Sequence, residues 1–172
     1  MYKIHSPAAR VEPEGLMSIP KLWTLIHLLA AFSFVGSLMV AEWIGRAARA
    51  TDDWRQRALL FQFAAKACRT AGLIPLVLTG VLGNLAAVGL GYHMASDVWL
   101  RWANGLWLVA VLVMLFVQLP CAYRLMQLSR SVTDGVEPQR YGSNMARWRV
   151  ANVALTVLYV AMLAFMVYGK RS

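Results

Sequence analysis

The chain has 172 residues, 59% of them hydrophobic, a mean hydropathy of +0.54 and a formal net charge of +9. Soluble domains carry about 45–50% apolar residues, so this composition excludes an ordinary water-soluble domain. The charge is clustered between apolar runs, which reads as basic loops against anionic lipid and excludes a nucleic-acid surface.

Residues 1–19 form a polar N-terminal tail with Pro7, Pro13 and Gly15, expected to be flexible or to strap a surface. A first apolar run follows at 20–44, with Pro20 suited to the first helical turn. It is longer than the core of a signal peptide and lacks a clear cleavage site, so it is expected to be retained. Three more runs follow at 71–92, 102–123 and 150–168, ahead of a basic end at 170–172. A hydrocarbon core about 30 Å thick needs roughly 20 residues of helix, and only helices satisfy their backbone there without closing a barrel. The expected fold is therefore all-α, one polytopic domain of four transmembrane helices over residues 20–169.

Between the first two runs, Trp54, Ala58, Phe61, Ala65 and Cys68 share one helical face and the other face is basic. This predicts an amphipathic helix at the interface or a cytoplasmic extension of the second span. Thr51 is the expected cap, with Asp52 and Asp53 at the positive helix end. Pro75 would let the second span bend. Turns are expected at Asp134-Gly135 and Glu137-Pro138, with Ser143 or Asn144 capping the approach to the fourth span. Cys68 and Cys121 have no metal-ligand spacing and read as small buried hydrophobes.

Lys and Arg set an expected direction. The connection after the first run carries Arg46, Arg49, Arg55, Arg57, Lys66 and Arg69, and that after the third carries Arg124, Arg130, Arg140, Arg147 and Arg149. The other side has Lys3, Arg10, Lys21, Arg101, Lys170 and Arg171. The positive-inside rule puts the two richer connections in the cytoplasm and both termini outside. Trp23, Tyr92, Trp99, Trp102 and Tyr168 would then form one aromatic belt, and Trp43, Tyr123 and Trp148 the other.

Two stripes of small residues recur at every fourth position: Ser33, Ser37, Ala41 and Gly45 in the first span, and Thr79, Gly83, Ala87 and Gly91 in the second. Small residues let helix backbones approach closely in lipid, so these spans are expected to pack along them. Glu42 and Arg46 are spaced to pair, as are Asp97 and Arg101.

His27 is the one residue deep in an apolar run with evident chemical capacity. An unsatisfied polar group there is costly, so it needs a partner or a ligand. Three readings stay open: a hydrogen bond to a neighbouring helix (Asn84, Asn104 or Gln118), axial ligation of a tetrapyrrole metal such as haem iron, and a quinone or proton role. His93, or Met94 in its place, would complete a two-ligand site if the second span tilts it inward. Catalytic motifs such as HExxH, GxSxG or a P-loop are absent from the sequence.

The stretch from Lys21 to Asp53, then GLIPLVLTGVLGNL, resembles a group of small bacterial four-helix inner-membrane proteins of unknown function. The shared pattern is His27, Gly36 nine residues on, a basic helix end and the Leu78-Thr79-Gly80 turn. That group is distantly similar to copper-resistance-D-type proteins and to membrane protoporphyrinogen oxidases that use haem. The resemblance covers about the first half of the chain and implies the bacterial inner membrane. The chain has fewer helix-embedded histidines than those haem enzymes, so the resemblance implies tetrapyrrole binding at His27 without the oxidase activity. The functional expectation is a non-catalytic integral subunit that packs against and stabilises a larger membrane complex, such as an electron-transfer or pigment-binding one. The alternative is a haem b redox protein with His27 as ligand. A transporter is third, since paired intramembrane carboxylates are missing.

Overall fold

The structure, a computed structural model, describes residues 19–94, 96–132 and 136–168. Among these residues every regular element is helical. Four helices, α1 (Ile19–Ala50), α2 (Trp54–Gly89), α3 (Val98–Arg130) and α4 (Tyr141–Tyr168), are each long and apolar enough to cross a bilayer. The chain is thus a multi-pass membrane protein. The tail before Ile19, the basic C-terminal end and the Asp134-Gly135 turn lie outside the described residues.

The helices overrun the predicted spans. At 1.5 Å per residue the 36-residue α2 is about 54 Å long, against a hydrocarbon core near 30 Å. The excess lies mainly at one end, where α1 finishes, α2 begins, α3 finishes and α4 begins; this is the arginine end, and the opposite one is the His27 end. The extra helix expected between the first two spans is not an element of its own. Trp54–Ala67 runs on through a π turn (Cys68–Leu73) into Ile74–Gly89. Its apolar face is a buried one, with Ala58, Phe61, Ala65 and Cys68 covered. The cap is Asp53 rather than Thr51. The Asp53 carboxylate accepts from the Arg55 N–H at 2.8 Å, while the Thr51 hydroxyl accepts from the Asp53 N–H at 3.2 Å. Ser143 and Asn144 fall inside α4, whose start is held instead by the Tyr141 N–H donating to the Pro138 carbonyl.

A π turn precedes each of the two prolines that lie inside a membrane helix beyond its first turn. Cys68–Leu73 leads to Pro75 in α2, and Met114–Gln118 leads to Pro120 in α3. A proline ring collides with the carbonyl four residues back in a regular helix, and the wider turn makes room for it. In α2 that carbonyl belongs to Ala71, and it accepts a hydrogen bond from the Ser33 hydroxyl of α1 at 3.4 Å. The two π turns touch one another mid-bundle. On the arginine side of them, Trp54–Ala67 packs closely on Leu119–Arg130. On the His27 side, α1 packs on the second half of α2 and the first half of α3 packs on α4, with little contact between those two pairs.

Candidate functional site: a cavity beside His27

Between the two helix pairs lies a cavity of about 240 Å³. Thr24 and His27 of α1, Gly80, Gly83 and Asn84 of α2, Leu100, Asn104 and Trp107 of α3, and Met162 and Met166 of α4 line it. Tyr92 and Trp99 also line it and meet edge to face, with ring centroids 5.3 Å apart.

The His27 ring is held close against α2. Its Nδ1 lies 2.8 Å from the Thr79 carbonyl oxygen. A carbonyl only accepts, so Nδ1 carries the proton, and in the neutral imidazole Nε2 is left with an unprotonated lone pair. Two glycines make this approach possible. A Cβ on Gly83 would lie 2.8 Å from His27 Cε1 and 2.9 Å from Nδ1. A Cβ on Gly80 would fall inside the Trp107 indole, whose N–H donates to the Leu76 carbonyl at 2.8 Å.

The other polar groups of the cavity are largely spent on the protein itself. Asn84 and Asn104 exchange amide hydrogen bonds, at 2.7 Å from Asn84 Nδ2 and 3.0 Å from Asn104 Nδ2. Their second amide hydrogens go to the Gly80 and Leu100 carbonyls, both at 2.9 Å. The Thr24 hydroxyl donates to the Pro20 carbonyl at 3.0 Å. His27 Nε2 has no hydrogen-bond partner among the described residues, and it belongs to a side chain that lines these apolar and aromatic walls.

His27 therefore has an interhelical partner, a backbone carbonyl of α2 rather than Asn84, Asn104 or Gln118. Gln118 lies fully buried elsewhere in the core. His93 and Met94 are exposed in the connection after α2 and do not line the cavity, so the two histidines are not brought together. The Asp97 carboxylate accepts from the His93 backbone N–H at 2.7 Å, and its expected ion pair with Arg101 is not formed. Glu42 and Arg46 do pair, at 3.0 Å. The cavity falls below the roughly 300–1,000 Å³ of pockets that enclose drug-sized ligands. Among the described residues no cationic side chain lines it to meet the carboxylates of a haem. A tetrapyrrole macrocycle does not fit it.

The small-residue stripes divide. Ser33 bonds to Ala71 of α2, and Ser37 lies 3.1 Å from where a Gly72 Cβ would stand, so both meet α2. Ala41 and Ala87 are buried. Gly45 meets α4 instead, where a Cβ would stand 3.2 Å from Trp148 Nε1. Thr79 contributes its carbonyl and Gly83 its missing side chain. Gly91 packs against nothing within 4 Å, and its φ of +84° ends α2. The Tyr92 N–H bonds to the Ala87 carbonyl and the Gly91 N–H to that of Val88, a Schellman ending that needs a left-handed residue. The sequence reading named Gly80 only within the Leu78-Thr79-Gly80 pattern, and it missed Trp107 and Met162. The Gly80-x-x-Gly83-Asn84 spacing beside a predicted histidine span was the available signal.

No protein-family model, curated protein or solved structure matches this chain.

Proposed function

We propose that this protein is a non-catalytic four-helix membrane protein that holds the polar head of a lipophilic hydrogen-bond donor, of the hydroquinone type, against His27. The observation that carries this reading is the 2.8 Å bond from Nδ1 to the Thr79 carbonyl, because it leaves Nε2 as the acceptor of a side chain that lines the cavity. The aromatic walls at Trp99 and Trp107 suit a planar ring. The space suits a head group rather than a whole lipid, and an isoprenoid tail would leave between the helix pairs past Leu28 and Leu90, both exposed. By its arginine distribution the protein sits in a bacterial inner membrane with the arginine end cytoplasmic and both termini outside.

The test uses the full chain in mild detergent and a short-chain ubiquinol with its oxidised quinone as probes. The reduced form should bind more tightly, because a quinone carbonyl offers an acceptor no proton. His27→Leu should weaken the reduced form by roughly ten-fold, the worth of one buried hydrogen bond. Equal binding of both redox forms, unchanged in His27→Leu, overturns the reading. So does a Soret band in the purified protein that disappears in that variant.

A second reading, a subunit of a larger membrane complex, is favoured by two glycines. Gly36 of α1 and Gly105 of α3 have nothing within 4 Å of where a Cβ would stand. A glycine inside a helix costs about 1 kcal/mol against alanine, and neither is offset by packing among the described residues. Each would let a neighbouring helix approach closely. Co-purification of a fixed partner, lost in Gly36→Leu or Gly105→Leu, supports it, and a monodisperse monomer in mild detergent counts against it.

A further inference from the structure

At the arginine end, remote from His27, a second cavity of about 650 Å³ opens between the last turns of α3 and the first turns of α4. Arg124, Arg140 and Arg147 line it, together with Gln127, Ser131 and Asn144. All three arginines are exposed, and among the described residues none has an ion-pair partner. No carboxylate lines the cleft among those residues. Glu137, close by in sequence, turns its carboxylate toward Gly142, 3.7 Å from where a Cβ would stand there.

The cleft is held in shape by its backbone. The Arg140 carbonyl accepts from the Asn144 N–H at 3.2 Å, from Asn144 Nδ2 at 2.7 Å and from the Ser143 hydroxyl at 3.0 Å. That anchors Arg140 at the start of α4, while Arg147 projects from α4 and Arg124 from α3. Three like charges gathered in one concavity repel each other, and nothing described in the cleft neutralises them. A planar guanidinium is the group best matched to a phosphate, which it meets through paired N–H bonds.

The depth of the cleft identifies the source of that phosphate. The apolar run of α3 ends at about residue 123 and that of α4 begins at about residue 150. Arg124 and Arg147 therefore stand at the level of the lipid headgroups, with Leu128 on the wall between them. We infer that the cleft between α3 and α4 is a binding site for a phosphate group, and that an anionic phospholipid of the surrounding leaflet supplies it. The site is independent of the His27 cavity and stands whether or not that cavity binds a hydroquinone.

The full chain in detergent is titrated with phosphatidylglycerol, with phosphatidylcholine and with inorganic phosphate, following thermal stability and lipid retained in native mass spectra. Phosphatidylglycerol should raise the melting temperature and phosphatidylcholine should not. Replacing Arg124, Arg140 and Arg147 by Gln should raise the apparent Kd roughly ten-fold or more, since charge-assisted hydrogen bonds are the ones removed. A control variant with Arg49, Arg55 and Arg69 replaced by Gln removes the same charge elsewhere at this end and should bind as the parent does. The three cleft arginines changed to Lys should keep part of the affinity, which separates lost contacts from lost folding. If inorganic phosphate alone reproduces the stabilisation, the site stands and its ligand is a soluble phosphate. Equal losses in the cleft and control variants, or no stabilisation by either anion, overturn the inference.

Discussion

The two ends of this bundle are held together by different forces. At the arginine end Phe61, Ala64, Leu125 and Trp148 are all 0% exposed. Trp54 meets Tyr141 edge to face at 5.1 Å and Phe61 meets Trp148 at 6.0 Å, with the Arg57 guanidinium 4.3 Å above the Trp54 ring. At the His27 end the helix pairs part around a cavity, and what crosses between elements is largely hydrogen bonding: His27 to Thr79, Trp107 to Leu76, Asn84 to Asn104. The helices are longer than a bilayer is thick, so the arginine end reaches beyond the hydrocarbon. There burial of apolar surface drives packing as it does in a soluble core. Between helices surrounded by lipid that drive is absent, and close backbone approach and interhelical hydrogen bonds replace it. The looser end is the one with room for a ligand between the two helix pairs.

The sharpest way to break this comparison is to make one substitution at both ends. Leu125→Ala should cost toward the top of the ~2–5 kcal/mol range for such truncations, because a fully enclosed void is left behind. Leu100, 6% exposed, already borders the His27 cavity. Leu100→Ala merges its void with existing space and should fall at about 2 kcal/mol or below. Denaturant titration of both variants in the same detergent measures the difference. Equal costs would mean that the two ends are packed alike.

A smaller effect of opposite sign is expected where the two regions meet. Gln118 sits in the second π turn, 0% exposed, with no oxygen or nitrogen partner for either side-chain amide atom and only the Cys68 thiol, a weak hydrogen-bonding group, beside it. An unpaired buried amide costs about 1–3 kcal/mol. Gln118→Leu removes it at similar volume and should stabilise the fold by about that amount, read as a rise in the denaturation midpoint. A loss of stability would show that Gln118 bonds to something bound in the core.

The four membrane helices were legible in the sequence because hydropathy is a property of the chain itself, whereas Trp148, expected in an aromatic belt, is buried in the core against Phe61. So was the buried face of Trp54–Ala67, which follows from helical spacing. The continuity of α2 was harder to read, since a basic stretch beside an apolar run suits a surface helix and a helix extension equally well. The π turns before Pro75 and Pro120 were not legible. The sequence shows a proline, but not how the turn ahead of it widens to receive the ring. The partner of His27 was missed for a related reason. Side chains with hydrogen-bonding character stand out in a sequence, whereas the acceptor here is the Thr79 backbone carbonyl, a group that every residue type possesses. Gly45 shared its spacing with Ser33 and Ser37 yet meets Trp148 of α4, because a long helix in a four-helix bundle changes neighbours along its length.

The smallest expected effect tests the polar contacts of the open end most directly. Asn84 and Asn104 each give the other one donor and one acceptor, and each ties its remaining amide hydrogen to its own helix. Asn84→Leu strands the facing amide of Asn104 in an apolar wall, and Asn104→Leu does the reverse. Replacing both leaves nothing stranded, so the double variant should be no less stable than the worse single one. The coupling in such a cycle should lie near the ~0.6 kcal/mol average for hydrogen bonds between membrane helices and below about 1.7 kcal/mol. It is small because a chain unfolded within the membrane also finds partners for its amides. A coupling of zero would assign the α2–α3 contact at this end to shape alone, and the contrast between the two ends would then rest on His27 and Trp107.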